Sequence, residues 1–203
     1  MKKPEKKRKN ENNVLYTGRG DDGSTTLFDC HQGRISKSSA LIEALGSTDE
    51  LNAYLGMIKV YSDNDKVFIK IGAKKVFFSK LIEDIQQNLF ILQAELGGSK
   101  MTINKKELNK IENVIHEISE VIPPLKSFTI SGGTILSAGL DYSRTLSRKT
   151  ERRIISVSDE GSRKIGRWTL AYINRLSSIL FAMSRYTNHF YSIPENHPDY
   201  NKK

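Results

Sequence analysis

The chain has 203 residues, 37% of them hydrophobic, enough for one domain around a single large core. No window approaches the roughly eighteen consecutive apolar residues of a spanning helix. One cysteine, Cys30, and four scattered histidines exclude an internal disulfide framework and a local zinc motif, and the lone thiol fits a reducing, cytoplasmic setting.

The net charge is +9, and much of it lies at the start of the chain. Residues 1–13 carry six basic side chains against Glu5 and Glu11. The segment has neither the apolar stretch of a secretory signal nor the amphipathic period of a transit peptide. It is expected to be a disordered basic tail, with contact to nucleic acid or anionic lipid as the alternative. The main domain is expected over 14–192 and a C-terminal tail over 193–203.

The first distinctive segment precedes any helix and spans Tyr16–Phe28 (YTGRGDDGSTTLF). Glycine reaches φ > 0 without steric cost, so such a loop can turn its N–H groups onto a phosphate. Thr17, Ser24, Thr25 and Thr26 supply hydroxyl donors, Asp21 or Asp22 a ligand for Mg²⁺, and Lys37 a further phosphate contact. The G-K-[ST] ending of a Walker A loop is missing. A polar surface turn is the alternative.

From Ser39 the pattern becomes helical. Ser38 or Ser39 can cap a helix carrying Leu41, Leu45, Leu51, Leu55 and Ile58, with Asp49 and Asn52 sharing a face. A second helix is predicted from about Lys74 to Leu96, stopped by Gly97-Gly98, although Lys66–Phe78 alternates in a partly strand-like way. Asn104 opens a third, ended by Pro123-Pro124. A fourth covers roughly Thr134 to Val157 and a fifth runs from near Asp159 to about Tyr191. Five amphipathic helices with mostly short links predict an all-α, up-and-down bundle.

Two helices carry more than packing demands. In the fourth, Arg144, Arg148 and Arg152 follow i, i+4, i+8 and line one face, with Glu151 close enough to Arg148 to pair with it. Arginine forks each grip two oxygens and never lose charge, which suits a polyphosphate. A solvated ion-paired face or a nucleic-acid patch is the alternative, although few aromatics accompany the arginines. In the fifth, Asn174 and Arg175 interrupt an apolar run, and Arg185 and Asn188 follow.

In this order, the segments resemble the PduO-type ATP:cob(I)alamin (corrinoid) adenosyltransferases. The motifs are Thr17–Leu27 (TGRGDDGSTTL), Gly46–Asn52 (GSTDELN), Phe128–Thr134 (FTISGGT), Ser143–Arg153 (SRTLSRKTERR) and Tyr172–Ser177 (YINRLS). The resemblance implies a five-helix bundle, a homotrimer with active sites at subunit interfaces, and transfer of the 5′-deoxyadenosyl group of ATP to cob(I)alamin with release of triphosphate. It implies that Thr17, Gly18, Gly20, Asp21, Gly23, Ser24, Thr25 and Lys37 wrap the phosphates of MgATP, with Asp21 as a candidate metal contact. Arg148, Glu151 and Asn174 would complete the nucleotide site from a neighbouring subunit. Asp49 would pair with Arg144 across the interface, and Phe128 would lie against the corrin and keep the lower axial position of cobalt empty.

The reacting nucleophile would be cobalt, which agrees with the lack of a credible serine, cysteine or histidine nucleophile. A reductase and an adenosylcobalamin-dependent enzyme are the partners such a reaction implies, with no role for nucleic acid or a membrane. The chain departs from the family pattern at three positions: Leu41 in place of a frequent arginine, Lys149 in place of the second of an arginine pair, and Ser131 in place of a proline. Two rivals remain: a basic bundle that binds nucleic acid, and another ATP-dependent transferase such as a small-molecule kinase.

Overall fold

The computed structural model describes residues 15–28 and 33–201. The basic segment 1–13, Cys30 and His31 lie outside them. Two short strands, β1 (Ser24–Thr25) and β2 (Ile35–Ser36), pair antiparallel ahead of α1 (Ala40–Asp65). A second hairpin, β3 (Phe68–Ile71) and β4 (Lys74–Phe77), leads into α2 (Phe78–Leu96). Then come α3 (Lys105–Val121), α4 (Ile135–Asp159) and α5 (Arg167–Phe190).

The expected five-helix bundle is what these elements form. α1 packs on α2 and α4, and α5 packs on α4 and α3, so α2 and α3 stand at the outside. A cleft of about 210 Å³ separates those two over the buried Tyr172. Its hydroxyl accepts from Asn88 Nδ2 at 3.2 Å, and burial pushes the phenol's pKa up. The predicted apolar stripes face inward, among them Leu51, Leu55, Ile82, Leu89, Leu176 and Leu180. In α1 the stripe runs through Ala44, while Leu45 is only half-buried.

Capping explains where two helices begin. The Asn104 side chain accepts the N–H groups of Lys106 and Glu107 at 2.9 and 3.2 Å. Thr134 and Ser137 form a reciprocal capping box at the start of α4. Ser39 stands at the cap position of α1, but its side chain caps nothing.

Two boundaries differ from expectation. α2 begins at Phe78 rather than Lys74, because Lys74–Phe77 pairs residue by residue with Phe68–Ile71. That hairpin buries Ile69, and Tyr186 Oη donates to the Phe68 carbonyl at 2.9 Å, so its alternating Val, Ile and Phe residues gain tertiary partners as strands. α4 runs on to Asp159, and α5 begins only at Arg167. Here the deciding residue is remote: the buried Glu95 of α2 accepts the Gly166 N–H at 2.7 Å and the Thr169 hydroxyl at 2.6 Å, which occupies donors at the start of α5.

Candidate active site

The N-terminal loop is organised by a residue that the motif reading passed over. Arg34, at the entry to β2, donates from Nε to Ser24 Oγ at 2.6 Å and from Nη2 to the Ser24 carbonyl at 3.0 Å and Asp22 Oδ1 at 3.3 Å. It also donates to the Arg19 carbonyl. Asp22 Oδ1 accepts the Ser24 N–H and hydroxyl at 2.9 and 2.7 Å. Those two bonds first, and the Arg34 charge after them, lower the Asp22 carboxyl to about 2.

Gly18 and Gly23 take positive φ of 66° and 77°, the turns for which a side chain would be strained. Lys37 Nζ folds back to the Gly20 carbonyl at 2.6 Å. Thr17 Oγ1 accepts the Arg19 N–H at 3.4 Å, and Thr25 pairs with Ile35 in the β1–β2 ladder. The N–H groups of Gly18, Gly20 and Asp22 have no partner among the described residues, and they are the donors open to an anion. Asp21 is exposed and its carboxylate makes no bond there, whereas Asp22 is committed to Ser24 and Arg34. Of the two candidate metal contacts, Asp21 is therefore the available one. No cluster of three or more His, Cys, Asp or Glu suited to a metal exists among the described residues.

On α4 the arginine face divides. Arg144 is half-buried, donates to Asp141 Oδ1 at 3.4 Å and lies 5.8 Å from the Phe181 ring centroid. Arg148 and Arg152 are exposed, and their guanidinium groups make no ion pair or hydrogen bond among the described residues. The expected Arg148–Glu151 pair does not form. Glu151 faces α5 instead and accepts from Asn174 Nδ2 at 2.6 Å, which brings two predicted site residues together across the helix interface. Arg175 turns the other way, to Glu112 of α3 at 3.0 Å.

α1 does pair with α4, but through other acids than Asp49. Glu50 accepts from Lys149 at 2.6 Å, and Glu43 lies 3.6 Å from Arg153. Asp49 is exposed and accepts from Gln93 Nε2 at 3.3 Å. Among the departures, Leu41 is a core residue, and Lys149 is occupied by Glu50.

Phe128 stands far from the N-terminal loop. It precedes α4 in the segment 122–134, and the residue is 78% exposed. Strand β2 and the start of α1 adjoin the opposite end of α4, where Ile35 and Ala40 lie beside Gly161. The intervening helix has 25 residues, about 37 Å at 1.5 Å per residue. Arg148 and the Glu151–Asn174 pair lie between. The chain thus displays a glycine-rich loop with open N–H groups, a pair of free guanidinium groups and an exposed aromatic ring, but does not gather them into one cavity.

Residues 15–187 match the sequence model of a family described as cobalamin adenosyltransferase. The chain belongs to the cobalamin adenosyltransferases. Among curated relatives, corrinoid adenosyltransferase PduO of Citrobacter freundii is 34% identical over 183 residues, covering 87% of this chain and 50% of that protein. A shorter corrinoid adenosyltransferase of the same organism is 32% identical, covering 84% of this chain and 93% of its own length. The chain therefore spans about half the length of some relatives and nearly all of others.

Solved cobalamin adenosyltransferase structures agree with the fold. A phenylalanine-to-histidine variant of the PduO-type ATP:corrinoid adenosyltransferase from Lactobacillus reuteri, complexed with cobalamin and ATP, gives a TM-score of 0.78 at 28% identity, covering 94% of this chain and 98% of that one. An arginine-to-lysine variant from the same organism, complexed with ATP, gives the same score and covers 91% and 100%.

Proposed function

We propose that the protein transfers the 5′-deoxyadenosyl group of ATP to the cobalt of cob(I)alamin, forming adenosylcobalamin and releasing triphosphate. The observation that carries this reading, in a member of this family, is the uncommitted Arg148 fork beside the bonded Glu151–Asn174 pair. The charge to be stabilised develops on the triphosphate as the C5′–O bond breaks, and fixed guanidinium groups supply that stabilisation without reorganising. The cobalt–carbon bond forms from the electron pair of cob(I), so the protein needs to position and stabilise rather than supply a nucleophile.

The N-terminal loop holds the phosphates through the N–H groups of Gly18, Gly20 and Asp22, with Lys37 turning from the Gly20 carbonyl to an oxygen of the ligand. Magnesium arrives with ATP, and Asp21 offers it a single carboxylate, consistent with a metal that keeps most of its ligands from phosphate and water. Phe128 lies against the corrin.

The separation of the loop from Phe128 by the length of α4 supports a composite site. The loop of one protomer is completed by Arg148, Glu151 and Asn174 of a neighbour, with Phe128 kept for the corrin, so the active form is a closed homo-oligomer, and we propose a trimer. Asp49 and Arg144 then meet across that interface. The protein works in the cytoplasm, beside a reductase that supplies cob(I) and an enzyme that uses the product.

The test is anaerobic mixing with MgATP and chemically reduced cob(I)alamin, followed by loss of the cob(I) absorbance. Protein-dependent formation of adenosylcobalamin with one triphosphate per turnover is the expected result. ADP as the product would establish a kinase instead, and the absence of both turnover and ATP binding would overturn the proposal.

A further inference from the structure

We infer that the segment after α5, residues 193–197, is a clasp that sets the position of Phe128, with His197 as the positioning residue at its tip. The inference deepens the proposed function and rests on it for the identity of the ligand. Its mechanical part rests on contacts alone.

After α5 the chain reverses at Ser192, which adopts φ +55°, and the Ile193 N–H donates to the Asn188 carbonyl at 2.9 Å. Glu195 then accepts both Nε and Nη2 of Arg185, at 2.5 and 3.1 Å. The Arg185 side chain is only 10% exposed, and its Nη2 also donates to the Pro123 carbonyl at 2.8 Å. One nearly buried guanidinium therefore ties the root of the clasp to the start of the Phe128 segment.

The next two residues bracket Phe128 itself. The Asn196 carbonyl accepts the Ile130 N–H at 2.8 Å. His197 Nδ1 lies 2.9 Å from the Phe128 carbonyl and 2.9 Å from Ser127 Oγ. A carbonyl oxygen only accepts, so Nδ1 carries the proton and donates to it. Beyond the ring, Asn188 Nδ2 and Ser137 Oγ both donate to the Gly132 carbonyl, at 2.9 and 3.0 Å. Gly133 has no room for a side chain, since a Cβ would lie 2.1 Å from Asn188 Oδ1.

The side chain of Phe128 is mostly exposed, so packing does not decide where the ring stands. Its backbone does, in a segment without regular structure, and the contacts on either side of that backbone come from Asn196 and His197. A flat ring that must cover one face of a planar ligand loses its effect when displaced by about an ångström. His197 acts on the ligand only through Phe128.

The experiment compares the full-length wild type with His197→Ala, His197→Asn and Glu195→Gln. The asparagine amide nitrogen stands near the position of Nδ1 and offers the same donor. In His197→Ala, hydrogen exchange at the Ile130 amide and the KM for the corrinoid each rise about tenfold, while the KM for ATP stays within about twofold. The fraction of bound cob(II)alamin with a four-coordinate spectrum falls. His197→Asn restores these properties, and Glu195→Gln shifts them in the same direction as His197→Ala.

Unchanged exchange at Ile130 in His197→Ala overturns the clasp. So do faster exchange with an unmoved corrinoid KM, equal rises in both KM values, or an asparagine variant no better than alanine. If the wild type does not adenosylate cobalamin, the function falls, and the clasp is judged on Ile130 exchange alone.

Discussion

The N-terminal loop and the Phe128 segment solve the same problem in opposite ways. Both are irregular, and both present groups outward. The first is fastened from within: Arg34, Asp22, Ser24 and Lys37 all belong to the loop or its closing strand, and their bonds end on loop atoms. The second is fastened from outside, by Arg185 and Asn188 of α5 and by the chain that follows. A self-tied loop can shift as a unit around a ligand without disturbing the core, whereas a loop tied to a helix keeps the accuracy of the scaffold.

The largest effect is expected between the two regions. Arg148→Ala lowers kcat/KM by about a hundredfold or more in the adenosylation assay, with an unchanged melting temperature because the side chain is exposed and unpaired. Near-normal turnover would remove Arg148 from the site. Gly133→Ala comes next and strikes the helix-tied segment. The added methyl drives against Asn188 at a φ of +110°, so thermal denaturation shows a loss of several degrees, at about 2–4 °C per kcal/mol, and corrinoid binding weakens.

Arg34→Ala sharpens the contrast. It loosens only the self-tied loop, so the KM for ATP rises about tenfold while the melting temperature moves by about 1 °C at most. A large drop in melting temperature would show that this loop supports the bundle after all.

The smallest effect is pH dependence. Asp22 has a folded-state pKa of about 2 against an ordinary 3.8, so its contribution to loop order is complete above the ordinary value and is lost as pH falls through the lower one. Loop protection, read by amide exchange of Ser24, is flat from neutral pH to about 4 and then declines. Asp22→Asn removes that acid limb.

What the sequence announced and what it hid follow the same division. The self-tied loop was legible because its glycines, hydroxyls and carboxylates are contiguous, and only Arg34, set apart by ten positions, escaped notice. The starts of α3 and α4 were readable near Asn104 and Thr134, where capping acts within a turn of the chain, whereas Ser39, the cap expected for α1, caps nothing. The start of α5 was not readable, since Glu95, 71 positions away, is what holds the Gly166 N–H at its cap. His197 carried no signal at all: its partner lies 69 residues off, and an isolated histidine near a chain end has no pattern. In the hairpin, the strand-like alternation was visible, but its advantage over a longer α2 depended on Tyr186. The Glu151–Asn174 contact likewise required two helices to be set side by side.

The placement of the N-terminal loop and Phe128 at opposite ends of α4 has a consequence for mixed assemblies. If each working site draws its loop from one subunit and its arginine from the next, two impaired variants need not make an equally impaired mixture. Subunits carrying Arg34→Ala keep a sound arginine face, and subunits carrying Arg148→Ala keep a sound loop. Random co-assembly in equal amounts leaves about one interface in four with both halves intact. Such complementation between alleles would be visible in a cell that makes both, and it would disappear when each is made alone.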